Sequence, residues 1–178
     1  MKKTGFVLVL ISFWSVLAAA SAGDAFPGAF RASLLKSFDE ASGKILRLAS
    51  EFPEDKYGWR PMEGVNSVRE VLVHITETNY SLAEQLGAKA PEGVDRRNLG
   101  PAMQRKDAAI AETKKGIGFI RKVLEEIPAD DLLPEVTVFG AKLPRLRVAM
   151  LPVDHAHEHL GQLIAYARMN RIVPPWSK

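Results

Sequence analysis

Histidine is the side chain best suited to hold a divalent metal at neutral pH. All four histidines of this chain bear on that chemistry. Three fall within five residues, in the run Asp154-His-Ala-His-Glu-His-Leu-Gly-Gln162. The fourth, His74, stands far earlier, in a strongly helical stretch. On a helix, residues four apart differ by about 40° in azimuth. His155 and His159 therefore point the same way and can share one ion. His157 falls about 200° from His155 and should face solvent. Gln162 and Tyr166 return to the His155/His159 face, where their polar ends could orient a ligand or hold a substrate.

Two familiar arrangements are excluded by the spacing. A metalloprotease helix needs Glu directly after its first histidine, and here Ala156 occupies that place. A His-x-His strand would pair His155 with His157, but Leu160, Leu163, Ile164 and Tyr166 continue with helical period. A histidine pair four apart also occurs as solvated or packed residues. His74 stands at the margin of an apolar face, where a hydrogen-bonded boundary histidine is the competing reading. Glu70, Thr78 and Ser81 share its side of the helix, with Glu77 close by. A polar side turned into a bundle must be satisfied by something. Glu158, about 60° off the ligand face, and Glu77 are the carboxylates at hand for a base. Neither has a spacing that demands that role, and the catalytic residues stay unassigned.

The elements that must position these side chains are four helices. The first is expected from about Pro27 to Ser50, with Phe30, Leu34, Phe38, Ala41, Ile45 and Leu48 as one apolar stripe. The second runs from Val68 to Leu86. Ser67-Val-Arg-Glu70 forms its capping box and Gly87 its stop. Tyr57 and Trp59 should pin the intervening loop to the bundle. The segment from Gly87 to about Pro101 reads as a polar, mobile loop. The third helix is expected from about Met103 to Ile127, weakened locally by Gly116 and Gly118. Val136-Thr-Val-Phe139 supports an extended loop or a minor hairpin. The fourth helix runs from about Arg145 to Asn170, and Pro152 should kink it just before the histidines. These elements make an all-α fold, a four-helix bundle with long connections.

Residues 1–22 stand apart. Lys2 and Lys3, the apolar run Gly5–Ala20 and the small residues Ala20-Ser-Ala22 read as a signal peptide cut after Ala22. The domain is then 23–178. Removing Lys2 and Lys3 leaves 22 basic residues, down from the chain's 24, against 21 acidic ones, so a net charge of +3 becomes +1. Basic residues are spread rather than gathered, which argues against a nucleic-acid partner. No cysteine is present. Thiolate metal sites, disulfides and a lipid-anchoring cysteine are therefore excluded, and any metal must be held by His and carboxylates.

Two stretches resemble a known family. Trp59-Arg-Pro-x-Glu-Gly-Val-x-Ser-Val-Arg-Glu-Val-Leu-x-His74 and Asp154-His-x-x-Glu-His-x-Gly-Gln-Leu-x-x-Tyr-x-Arg-x-Asn-x-x-Val-Pro-Pro175 are similar to the paired signatures of the DinB family, DinB/YfiT-like metal-dependent proteins. The resemblance covers essentially the whole domain. It implies a four-helix bundle and one divalent metal, zinc or nickel first, with iron or manganese as alternatives. The ligands it implies are His74, His155 and His159, with His157 a bystander. Three histidines leave a coordination position open, the pattern of a catalytic metal. The function expected is an exported, periplasmic or secreted, hydrolase-like metal-dependent enzyme with metal-bound water as nucleophile and an unnamed small-molecule substrate. The alternatives are a non-catalytic metal- or ligand-binding, stress-associated module and a thiol-dependent S-transferase. Export weakens the transferase reading, because the thiols used by relatives are cytosolic. No membrane partner is expected after signal cleavage; homodimers are common among relatives.

Overall fold

The computed structural model describes residues 22–138 and 140–178, with side chains described from residue 28 onward and not for Phe139. The signal-peptide assignment therefore falls almost wholly outside the described residues. Four long helices are present: α1 (Ala22–Glu51), α2 (Val68–Gln85), α4 (Lys106–Glu126) and α5 (Arg145–Met169). Helix α1 begins ahead of Pro27 and includes it. Each of α1 and α2 packs against both α4 and α5, so the helices follow one another around the bundle as α1, α4, α2, α5. Helices α1 and α2 thus stand at opposite corners, and the chain joining them must cross the end of the bundle.

That crossing is built as a cap. The first backbone amides of a helix have no partner within it. Here Val68 N–H donates to Trp59 O at 3.1 Å and Arg69 N–H to Tyr57 O at 2.9 Å. Glu70 N–H donates to Ser67 Oγ at 3.3 Å, while Ser67 N–H donates to Glu70 Oε2 at 2.7 Å, completing the expected capping box. Tyr57 is buried and its hydroxyl donates to Ala49 O on α1 at 2.8 Å. Burial and the nearby Glu54 carboxylate push that phenol far above its ordinary pKa, so it stays a donor throughout the physiological range. Trp59 meets Tyr166 of α5 edge to face, with ring centroids 5.3 Å apart. The loop is fastened to three helices.

The segment expected to be a mobile loop, 87–101, is instead partly folded. It contains a 3-10 turn (Arg96–Asn98) and a fifth helix of one turn, α3 (Leu99–Ala102). Leu99 and Met103, four apart, are both buried and anchor it. One turn is too short for a periodic pattern to announce it. Helix α4 accordingly starts at Lys106 rather than Met103. Its Lys106 ammonium donates to Ser50 O and Phe52 O, at 2.7 and 2.6 Å. A cation there satisfies carbonyls at the C-terminus of α1 and complements the helix dipole.

Other expectations have direct counterparts. Helix α2 ends with Gly87 in the left-handed conformation, φ 97°, where Ala88 N–H reaches Ala83 O at 3.0 Å and Gly87 N–H reaches Glu84 O at 2.9 Å. Strands β1 (Glu135–Val138) and β2 (Ala141–Pro144) form the minor antiparallel hairpin that leads into α5. Phe139, assigned to that segment, lies outside the described residues. Helix α5 runs unbroken through Pro152.

Glycines 116 and 118 differ in what surrounds them. A Cβ on Gly116 would lie 3.1 Å from Thr76 Cγ2, so α2 and α4 approach closely there. Thr76 and Thr113 fill that contact, their hydroxyls 3.2 Å apart and each bonded to a carbonyl one turn back. Gly118 has nothing within 4 Å of such a Cβ. Gly118→Ala should therefore stabilise the protein by about 1 kcal/mol through helix propensity. Gly116→Leu should destabilise it by at least about 1–3 kcal/mol through overpacking. Urea unfolding of the two variants beside the parent protein checks both signs.

Candidate metal centre

Helix α2 contributes His74 and helix α5 contributes His155 and His159. The packing of α2 against α5 brings the three rings together across the helix interface. His155 Nε2 lies 3.0 Å from His74 Nε2 and 2.9 Å from His159 Nε2. The three rings meet edge to face, with centroids 4.9, 4.9 and 4.3 Å apart. His159 is buried, and His74 and His155 are half-buried. His157 is exposed and turned away, its Nδ1 2.9 Å from Val153 O. The structure thus gathers the three histidines singled out by sequence and leaves the fourth outside.

One hydrogen-bond chain fixes which atom of His159 points inward. Tyr166 Oη lies 2.9 Å from the backbone carbonyl of Asn66, which can only accept. The Tyr166 hydroxyl therefore donates there. Its oxygen accepts from Gln162 Nε2 at 2.9 Å. The Gln162 amide oxygen is then left facing His159 Nδ1 at 2.8 Å, so Nδ1 carries the proton. The neutral ring then presents its lone pair on Nε2. This arrangement orients the imidazole and sets its tautomer, as hydrogen-bond partners do for metal-binding histidines.

The lone pair of His159 decides how the cluster can be satisfied. His155 Nε2 touches two other nitrogens but can carry only one proton. Two neutral imidazoles can share one N–H···N bond, but a single His155 nitrogen cannot pair in that way with both neighbours when His159 offers it a lone pair. A divalent cation accepts lone pairs from all three. The three donor atoms lie within 4.8 Å of one another, and the group could hold a metal ion. Neutral nitrogen donors suit zinc, nickel and iron.

Electrostatics favour the neutral forms of His155 and His74. Burial, and then His159 and His74 beside it, push His155 down from 6.5 to about 3. Burial and His159 lower His74 as well, opposed by the carboxylates of Glu77 and Glu158. These two carboxylates, left at the margin by the sequence, stand close enough to act on the site electrostatically. A cavity of about 440 Å³ opens beside the histidines. His74, His155, Thr78 and Glu158 line it, with an apolar wall from Leu82 and Leu151. Arg147 and Asp154, paired at 2.7 Å, stand at its edge. Sequence reasoning missed Arg147, which lies two turns before the histidines. It also missed Asn66, which contributes only its backbone carbonyl and so leaves no side-chain signal.

Residues 37–163 match the sequence model of the DinB superfamily, a span that contains all three histidines. No curated protein matches the chain significantly. Among solved structures it is similar to a DinB-like protein from Bacillus subtilis, at 18% identity and a TM-score of 0.62. That match covers 79% of this chain and 93% of the other. At such identity the likeness speaks for the fold alone.

The lowered histidine pKa values give the metal-free protein a pH dependence with a definite sign. Below 6.5 the unfolded chain takes up protons that folded His155 refuses until about 3. The unfolded state binds more protons across that window, so stability falls as pH drops from about 6.5 toward 3 and is recovered above 6.5. Denaturant unfolding of the chelator-treated protein across that range should show the loss. His155→Gln should reduce it, leaving the part due to His74.

Proposed function

The chain belongs to the DinB superfamily, and from that membership and the three-histidine cluster we propose that it is a metal-dependent enzyme of the cell envelope, hydrolytic in reaction class. The observation that carries this reading is the convergence of three imidazoles beside a solvent-open cavity that two of them, His74 and His155, line. His74, His155 and His159 would hold the ion. Zinc or nickel is proposed first, with iron or manganese as alternatives. A divalent ion bound there would supply a Lewis acid with an open coordination position, able to polarise a carbonyl and to acidify water.

The chain's own residues supply the rest. Gln162, backed by Tyr166, holds His159 in the one tautomer that can ligate. Leu82 and Leu151 offer a surface for the apolar part of a small substrate and exclude water from one side. Glu158, on the same cavity wall, is the carboxylate placed to accept a proton there. Export is proposed from Lys2, Lys3, the apolar run and the Ala20-Ser-Ala22 site. No helix among the described residues is long and apolar enough to cross a membrane.

The decisive experiment is metal analysis of protein recovered from the envelope fraction, with its N-terminus read by mass spectrometry. We expect a start at Gly23 and about one divalent ion per chain, by the three-ligand stoichiometry of such sites. His74→Ala should lose the ion. A gently purified protein without metal would sink the reading. Tyr166→Phe makes a separate test, because it removes the hydroxyl that orients Gln162. Competition with a chelator should show metal affinity about tenfold weaker in that variant. A screen of small esters, amides and thiols then separates hydrolase, transferase and non-catalytic binder.

A further inference from the structure

The cavity beside the histidines does not end at them. Thr78 lines it and also lines a second cavity of about 520 Å³, which runs past Ser81 and Glu84 to Asp95, Arg96 and Arg97. The two adjoin at Thr78, and together they are taken as one furrow along α2. Glu84 lies ten residues beyond His74 on that helix, a span of roughly 15 Å.

Most charges in the far half are already matched. Arg96 pairs with Glu84 at 3.3 Å. The Asp95 carboxylate accepts from Arg97 N–H at 3.0 Å and from Asn98 Nδ2 at 2.9 Å. These bonds hold the Arg97 backbone in place and leave its side chain uncommitted. Two charged groups lining the second cavity have no hydrogen bond or ion pair among the described residues: the Glu77 carboxylate and the Arg97 guanidinium. They mark opposite ends. Glu77 acts electrostatically on His74, whereas Arg97 follows the Gly87 turn and faces the distal half.

We propose that the substrate of the three-histidine site is an elongated small molecule with an anionic tail, its reacting head at the histidines and its tail on Arg97. The proposal rests on the metal-enzyme reading above and gives it a substrate class. Polarity along the furrow fixes the direction of binding. Glu77 repels an anionic group near the histidines, while Arg97 offers planar donors to a carboxylate or phosphate at the far end. A cationic tail would be repelled by Arg97, and a neutral one would gain nothing from it.

The test is calorimetric titration of the zinc-loaded protein with alkyl hydroxamates of graded length, ending either in a carboxylate or in a hydroxyl. Acetohydroxamate serves as the head alone. Tails long enough to reach Arg97 should bind about tenfold more tightly with the carboxylate than with the hydroxyl, the scale of one charge-assisted contact. Shorter tails should show no such preference. Arg97→Ala should erase the difference and leave acetohydroxamate affinity unchanged; Arg97→Lys should keep part of it. Equal affinities for both tails at every length would overturn the proposal. So would a carboxylate preference that survives Arg97→Ala. Failure of acetohydroxamate to bind at all would instead overturn the metal reading, and this proposal with it.

Discussion

A backbone carbonyl sets the protonation of the site. Asn66 C=O has no proton to give, so Tyr166 must donate to it, Gln162 must donate to Tyr166, and His159 must carry its proton on Nδ1. Each side chain in this series could point either way in isolation. The carbonyl removes that freedom at one end, and the choice passes along three bonds to Nε2 of His159. A ligating lone pair is thereby prepared by a residue that approaches no other part of the cluster.

The carbonyl is only as well placed as the loop that carries it. Residues 52–67 cross the diagonal of the bundle because α1 and α2 occupy opposite corners. A long crossing would ordinarily be loose. Here it serves as the amino-terminal cap of α2, taking up Val68, Arg69 and Glu70 amides that would otherwise be unpaired. Tyr57 ties it to α1 and Trp59 rests on Tyr166 of α5. The same few residues therefore begin the helix that bears His74 and orient His159 on the helix that bears it and His155. Stability of the cap and geometry of the site are one construction.

Much of this was legible in the chain because it rests on periodicity and on local hydrogen bonds. The His155/His159 pair, the outward His157, the Gln162 and Tyr166 positions and the capping box all follow from 3.6 residues per turn or from a four-residue motif. Helix α3 was not legible: its cue is only Leu99 and Met103, two apolar residues in a polar segment. Asn66 was not legible either, since any residue supplies a carbonyl. The role of Gly116 was read as helix weakness, whereas its lack of a side chain admits Thr76 at close range. Only the tertiary partner distinguishes it from Gly118. Likewise Arg147 and Arg97 are ordinary surface arginines until the cavities they line are seen.

The cluster itself works against the fold that holds it. Burying imidazoles beside one another disfavours their charged forms, which is why His155 is pushed so far down. Their neutral forms still place more lone pairs and protons at one point than they can mutually satisfy. A bundle selected for stability alone would fill those three positions with leucine or alanine at no such cost. The cap, the oriented Gln162 and the close α2–α4 contact supply the rigidity that keeps the rings converged against that tendency. Rigidity of this kind would lower the reorganisation needed to take up a cation, because His159 is already oriented by Gln162. The cavities lie along the exposed side of α2, so the ordering elements lie in the core while that side stays open.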